Sequence, residues 1–99
     1  MPIIWSRLAR LDLTGLYSYL AAVSSPSFAI QHIQSIEAAA NLLVDFPNSG
    51  LARDDLRLGV RSKIHRSTII FYTVSGTHTV TVRRVLDQRQ DYRRILKHR

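Results

Sequence analysis

The sequence predicts an α+β fold in which an antiparallel sheet packs against a hairpin of two helices, in the order β-α-α-β-β-β. Residues 56–86 have the composition of a three-stranded meander, with apolar and β-branched residues at strand spacing and turn residues between the strands. Residues 7–46 carry two stretches of apolar residues at helical spacing. An apolar sheet face needs a covering layer, and two amphipathic helices supply one. We therefore expect residues 1–99 to form a single domain.

The chain is predicted to begin with a short strand and a helix. Residues 2–6 are apolar around Trp5 and form the expected first strand. A stripe at helical spacing follows and predicts an amphipathic helix, with Ala9, Leu13, Leu16, Leu20 and Val23 on one face. Gly15 lies inside this helix and costs about 1 kcal/mol of helix propensity. It is either tolerated there or allows another element to approach closely.

A second helix is predicted to start at Ser25 and Pro26, which suit the N-cap and the first helical position. Its apolar face contains Ala29, Ile33, Ile36, Ala40, Leu43 and Phe46. Residues 47–50, with the sequence PNSG, end it. The connection between the two helices is short, so they form an antiparallel hairpin.

A polar loop at residues 47–55 leads to the first strand of the meander, predicted at residues 56–62. The residues alternate there, with Leu56, Leu58 and Val60 on one side and Arg57, Gly59 and Arg61 on the other. This alternation predicts one apolar sheet face and one face that carries arginines.

The other two strands are predicted at residues 68–74 and 79–86. The first is apolar on both sides, which is typical of a central strand covered on both faces. Ser75 and Gly76 indicate the turn, because glycine readily adopts positive φ. Residues 91–97 are predicted to form a short basic helical tail.

The composition excludes several classes of protein. The 99 residues include no cysteine, so disulfides, thiolate chemistry and cysteine-based zinc sites are excluded. No apolar run reaches the length of a signal peptide core or a membrane span. We expect a soluble cytoplasmic protein without a membrane partner.

The net charge of +7 is unevenly distributed. Residues 1–50 contain two basic and three acidic residues, whereas residues 51–99 contain twelve basic and four acidic residues. Such asymmetry favours an anionic partner, either nucleic acid or an acidic protein segment. The alternative is simply a soluble basic surface.

No metal or cofactor site is predicted. The sequence has no phosphate loop or nucleotide fingerprint, and His32, His65, His78 and His98 lack ligand spacing. His32, His78 and His98 are expected on the surface.

Arginines are the more informative residues. Arg57 and Arg61 share one side of a predicted strand. Arg84 has the parity of the apolar residues in its own strand, and this exception to the pattern indicates a functional or strongly paired residue. Either Arg84 contacts a partner molecule, or it pairs with Asp87, Asp91 or the chain terminus.

Tyr92 is the one candidate for an acid or base in the basic tail. Its hydroxyl could transfer a proton, or its ring could stack on a nucleic-acid base. The alternative is that it packs on the domain, as tyrosines in terminal helical turns commonly do.

An ordered set of short motifs resembles the ParE branch of the ParE/RelE toxin superfamily, the plasmid-stabilisation type of toxin–antitoxin module. The motifs are Trp5-Ser6, Ala9 with Asp12-Leu13, Ser25-Pro26 with Ala29, Pro47 with Gly50, Leu56-Arg57, Gly59 with Arg61-Ser62, Ile70-Phe71-Tyr72, Arg84-Val85-Leu86, Arg89 and Asp91. The resemblance covers nearly the whole chain.

The resemblance implies a toxin that traps DNA gyrase on cleaved DNA, without catalysing a reaction, and so blocks replication. A ParD-like antitoxin would neutralise it in a hetero-oligomeric complex, and direct contact with nucleic acid would be secondary. The residues expected to contact gyrase or its DNA are Arg57, Arg61, Arg84, Arg89, Tyr92, Arg93 and Arg94. The residues expected to bind the antitoxin are Leu16, Tyr19, Leu20, Arg57 and Arg61.

The RelE-type relatives imply an alternative, a ribosome-dependent mRNA endoribonuclease that would use Tyr92 and the arginines. Asp87 stands where many ParE-like sequences have histidine, and its carboxylate would repel an RNA phosphate. This departure disfavours the nuclease. A third alternative is an inactive homologue or a plain basic nucleic-acid-binding domain.

Overall fold

The computed structural model describes residues 3–76 and 79–97, and it confirms the α+β class and the packing of a sheet against a helical hairpin. His78 and His98 lie outside the described residues. The elements are β1 (Ile3–Trp5), α1 (Arg7–Val23), α2 (Pro26–Asp45), β2 (Leu51–Ala52), β3 (Arg61–His65), β4 (Thr68–Ser75), β5 (Thr79–Asp87) and α3 (Tyr92–Lys97).

Serine caps start both long helices. The hydroxyl oxygen of Ser6 accepts a hydrogen bond from the Ala9 amide at 3.1 Å, and that of Ser25 accepts one from the Phe28 amide at 3.0 Å. The predicted start at Ser25 and Pro26 is thus confirmed. Among the described residues, a Cβ at Gly15 would have no neighbour within 4 Å, so this glycine is tolerated and serves no close approach there.

The strands form one sheet in the order β1-β5-β4-β3-β2. The meander of β3, β4 and β5 is antiparallel, and β4 is central as predicted. Gly76 has a φ of +60°, as the predicted turn requires. β1 runs parallel to β5, so the sheet is mixed rather than wholly antiparallel.

The strand predicted at residues 56–62 is wrong, because most of this stretch belongs to a folded loop. The Arg53 amide donates to the Val60 carbonyl at 2.7 Å, and the Gly59 amide donates to the Asp54 carboxylate at 2.9 Å, which together close the loop. Leu58, predicted to face the core, is 91% exposed. The strand begins only at Arg61.

A β-bulge at Arg83 changes which way the residues of β5 face. Phe71 pairs with Arg84, but the next residue of β4, Tyr72, pairs with Val82. No residue of β4 therefore lies opposite Arg83. Val82 and Val85 consequently both join the core beneath the hairpin, although they differ in parity. Arg84 instead shares a face with Phe71, on the other side of the sheet.

The sheet is covered on both faces. Under the hairpin lie Ala9, Ile36, Ala40 and Leu43 with Ile70, Tyr72, Val80, Val82 and Val85. The opposite face has a second core, made of Leu56, Val60, Ile69, Phe71, Leu86 and Leu96. The face predicted to carry arginines therefore also holds an apolar core. In residues 3–76 and 79–97, no helix is long and apolar enough to cross a membrane.

Candidate functional site

Arg84 is paired with Asp12 on α1, and not with any of the partners suggested by its sequence neighbours. Its Nε and Nη2 donate to the two carboxylate oxygens at 2.8 and 2.9 Å. The same carboxylate accepts the Val85 amide at 2.9 Å, on an edge of β5 that β1 leaves uncovered. The hydrogen bonds from Arg84 raise the pKa of its guanidinium. The pair therefore locks α1 to the sheet.

A groove, here called the helical groove, lies between the hairpin and the end of the sheet and encloses about 690 Å³. Leu16, Tyr19 and Leu20 line it together with Phe28, and Arg89 lines it from the segment after β5. Tyr19 is 60% exposed and Phe28 is 43% exposed. Three of the five residues predicted to bind an antitoxin thus share one largely apolar cleft.

His32 also lines the helical groove, but it is buried rather than on the surface as predicted. Its ring stacks on Phe28 with centroids 6.0 Å apart, and its Nδ1 has no hydrogen-bond partner among the described residues. Burial lowers the pKa of His32, and the nearby charges of Arg66 and His65 lower it further. The imidazole is therefore neutral at pH 7.

His65 lies against α2. Its Nε2 is 3.0 Å from the hydroxyl of Ser35, which donates to the His32 carbonyl at 2.7 Å. In the described part of the chain, no group of three or more histidine or carboxylate side chains is placed to hold a metal ion.

A second groove, here called the arginine groove, lies on the sheet face that carries the second core and encloses about 480 Å³. Arg57 and Arg84, two of the seven residues expected to contact gyrase or its DNA, line it. Arg7 and Arg83 line it too, and the sequence analysis missed both. The Arg83-Arg84 doublet was visible in the sequence, but only the bulge shows where the two side chains lie.

Two other predicted arginines hold local structure. Arg61 donates through Nε and Nη2 to the Gly50 carbonyl at 3.1 and 2.8 Å, so it fixes the loop before β2. Arg89 pairs with Asp87 at 3.0 Å, and its hydrogen bonds lower the pKa of that carboxyl. Neither arginine lines the arginine groove.

The tail packs onto the second core. The ring of Tyr92 lies 5.6 Å from that of Phe71, and the Arg53 guanidinium lies 5.7 Å from the centre of the Tyr92 ring. Arg93 donates to Asp55 at 3.1 Å. Hydrogen bonds from Arg53 and then Arg93 lower the pKa of Asp55 to about 2, against the cost of its desolvation.

These contacts confirm the interpretation in which Tyr92 packs on the domain. Tyr92 does not line the arginine groove, so the structure does not bring it together there with Arg57 and Arg84. Arg94 is exposed on α3. The seven residues predicted to bind gyrase or its DNA are thus spread over several surfaces.

Comparison with known proteins gives concordant results. A family model described as the ParE toxin of the type II toxin–antitoxin system, parDE, matches residues 3–92. Toxin ParE1 from two strains of Mycobacterium tuberculosis, CDC 1551 / Oshkosh and ATCC 25618 / H37Rv, is 37% identical over 68 residues, which is 69% of this chain and 69% of each relative. A solved chain of the chromosomal ParDE toxin–antitoxin system from P. aeruginosa superposes with a TM-score of 0.76 at 25% identity. The match covers 88% of this chain and 95% of that one.

Proposed function

Because this chain belongs to the ParE toxin family of type II toxin–antitoxin systems, we propose that it inhibits DNA gyrase by binding it, and that a ParD-like antitoxin neutralises it. The proposal treats residues 1–99 as one toxin domain that acts in the cytoplasm, where gyrase works, and forms a hetero-oligomer with its antitoxin. It involves no catalysed reaction.

The helical groove supports the proposal that an antitoxin binds this chain. An amphipathic segment binds by inserting apolar side chains into a groove, and exposed apolar clefts of this size mark such surfaces. Leu16, Tyr19 and Leu20 form the apolar wall, and Arg89 lines the same groove with its charge already paired to Asp87. Arg57 and Arg61, also predicted to bind the antitoxin, lie outside this groove. They belong to the proposed interface only if the antitoxin extends beyond the helical groove.

Charge insertion tests the antitoxin groove. We expect Tyr19→Glu to weaken antitoxin binding at least about tenfold, equivalent to about 1.4 kcal/mol, because it places a carboxylate in an apolar contact. Leu42→Glu is the matched control, since Leu42 is 59% exposed on α2 and does not line the groove. Titration calorimetry with the cognate antitoxin measures both. Equal affinity for the two variants would remove the groove from the interface.

Two observations support gyrase as the target, namely membership of the ParE family and the presence of exposed arginines. Arg57 and Arg94 are exposed and take part in none of the ion pairs of the described residues. Arg84, Arg89 and Arg93 remain in the proposed contact set, although each also has an internal partner.

A supercoiling assay with purified gyrase tests the target. We expect the chain to inhibit supercoiling and to accumulate cleaved DNA, and we expect added antitoxin to reverse both effects. Inhibition that is identical for the wild type and for a variant with Arg57→Glu and Arg94→Glu would refute the proposed contact residues. No inhibition at any concentration would refute gyrase as the target.

The packing of Tyr92 supports binding over the mRNA-cleaving alternative. Cleavage through the ribose 2′-hydroxyl needs a base, an acid and cations at one phosphate. The ring of Tyr92 is held by Phe71 and Arg53, outside the arginine groove. Primer extension on translating ribosomes would reveal codon-positioned cuts if the alternative held, and Tyr92→Phe would then abolish them.

A further inference from the structure

We propose that two copies of this chain form a symmetric dimer through the outer face of the helical hairpin. The contact surface, here called the hairpin seam, is a groove between α1 and α2 that encloses about 430 Å³. Its apolar lining residues are Leu13, Tyr17, Ile30 and Ile33, and its charged ones are Arg10 and Glu37. None of the described sheet residues lines the seam, and it has no lining residue in common with the helical groove. The dimer goes beyond the proposed function, because it involves the toxin alone.

The seam has the composition of a protein–protein contact. Ile30 is 47% exposed and Tyr17 is 37% exposed, so each helix leaves a large apolar side chain open to solvent. Leu13 and Ile33 are half-buried in the same groove. An apolar centre with a polar rim is the usual anatomy of such contacts.

The distribution of charge favours a second copy as the occupant. The seam carries one basic and one acidic side chain, whereas residues 51–99 contain twelve basic residues. A nucleic acid or an acidic segment would require an excess of cations at its binding surface. Two copies that meet at the seam have little net charge between them, and their basic halves stay on the far sides of the two hairpins.

A twofold axis brings opposite charges of the seam together. Because the helices are antiparallel, Arg10 lies level with Glu37, and Tyr17 lies level with Ile30. An axis parallel to the helices places α1 of one copy over α2 of the other. Arg10 of each copy then faces Glu37 of the other copy, so that the contact occurs twice.

Both charged side chains are available for this pairing. Arg10 and Glu37 are exposed, and none of the ion pairs of the described residues involves them. Arg10 donates from its Nη1 to the Trp5 carbonyl at 2.6 Å, which restrains the guanidinium and leaves its other N–H donors for a partner.

The size of the face sets the strength of the dimer. α1 has 17 residues and is therefore about 25 Å long, and two adjacent helices are about 20 Å wide. Each copy thus contributes roughly 500 Å², and the dimer buries about 1,000 Å² in total, which is the lower end for specific contacts. We therefore expect a weak dimer that dissociates on dilution.

Sedimentation velocity of the purified full chain over a series of concentrations tests the dimer. We expect a monomer–dimer equilibrium for the wild type. Glu37→Arg is expected to weaken it about tenfold, because the twofold axis turns two attractions into two repulsions. Adding Arg10→Glu to that variant exchanges the two charges, so we expect the affinity to return to within about threefold of the wild type. Asp45→Arg is the matched control, because Asp45 is exposed on the same helix and does not line the seam.

Tyr17→Glu is a second test, which leaves both charged residues in place. It puts a carboxylate into the apolar centre of the contact, and we expect it to weaken the dimer at least about tenfold. A dimer of unchanged affinity in this variant would overturn the proposal even if the variant with exchanged charges did not fold.

The outcomes separate the possibilities. Recovery in the variant with exchanged charges, together with an unaffected Asp45→Arg variant, supports the proposal. Equal weakening by Asp45→Arg would overturn it in favour of general charge repulsion. A variant with exchanged charges that melts like the wild type and yet associates as weakly as Glu37→Arg would overturn the proposed symmetry.

A wild type that stays monomeric at every concentration would overturn the dimer. If Glu37→Arg then also weakened binding of the cognate antitoxin in titration calorimetry, the seam would belong to the antitoxin instead. Neither gyrase nor the antitoxin takes part in the sedimentation assay, so its result is independent of the tests of the proposed function.

Discussion

Removing the Asp12 carboxylate is expected to cost a large share of the stability of this protein. Asp12→Ala deletes three hydrogen bonds, two from the Arg84 guanidinium and one from the Val85 amide. It also leaves that guanidinium, whose side chain is only 18% exposed, without a counter-charge.

The magnitude follows from the burial of the pair. Breaking a fully buried ion pair from one side costs about 3–5 kcal/mol, and surface pairs contribute about 0–1 kcal/mol. The two side chains here are 18% and 14% exposed, so we expect the free energy of unfolding to fall by about 2–4 kcal/mol. Domains of this size unfold with about 5–15 kcal/mol. The melting temperature would fall by about 10–30 °C.

A double-mutant cycle measures the interaction itself. Urea unfolding of Asp12→Ala, Arg84→Ala and the double variant gives the coupling energy, which we expect to exceed about 1.5 kcal/mol. Asp45→Ala is the matched control, because Asp45 is an exposed carboxylate at the end of α2. We expect it to change stability by less than about 0.5 kcal/mol.

Either of two results would refute the reasoning. A coupling energy below about 0.5 kcal/mol would mean that Asp12 and Arg84 contribute independently. A loss no larger for Asp12→Asn than for Asp45→Ala would mean that the negative charge at position 12 is not what the structure requires.

Three further predictions concern pH, a close approach and the second core. Because burial lowers the pKa of His32, the unfolded chain binds the proton more tightly; stability is therefore complete above pH 6.5 and lost as pH falls below it, by up to about 1.4 kcal/mol per pH unit. We expect His32→Leu to lack this pH dependence, and denaturant unfolding of both proteins over a series of pH values measures it. Gly50→Ala is expected to lower the free energy of unfolding by about 1–3 kcal/mol, since the new Cβ would lie 2.8 Å from Tyr72 Cε1. Gly15→Ala is expected to raise it by up to about 1 kcal/mol. Thermal melts that rank the two variants the other way would refute this. Leu96→Ala is expected to cost about 2–5 kcal/mol, and denaturant unfolding that matches the wild type would show that α3 is dispensable.

The helices were predictable because their signals are local. The cap at Ser25 accepts a hydrogen bond from an amide three residues ahead, and proline at position 26 suits a first helical turn wherever it occurs. Residues 68–74, apolar on both sides, likewise predicted a central strand. The resemblance to ParE toxins, which rests on motifs in sequence order, was confirmed by the family match over residues 3–92.

The first meander strand was misplaced because a closed loop can imitate alternation. Leu56 and Val60 are both buried, as the pattern predicted, but they reach the second core from a turn. Leu58 between them faces solvent. Hydrogen bonds from Arg53 and to Asp54 decide this geometry, and hydrophobic periodicity carries no information about them.

The two candidate grooves also differ in how far the sequence predicted them. The apolar stripe of α1 placed Leu16 and Leu20 on one face, so half of the helical groove followed from helical spacing alone. The arginine groove did not, because the bulge at Arg83 reverses the parity of β5 between Val82 and Arg84.

By itself, the sequence determined which segments form the two long helices and the central strand, the family, and the basic character of the second half. These depend on interactions within a few residues, or on composition. Only the tertiary structure decided that Arg84 pairs with a carboxylate 72 positions earlier, that α3 closes a second core, and which arginines share a groove. A side-chain pair across that distance forms because packed elements bring it together, and the register that does so depends on one extra residue in one strand.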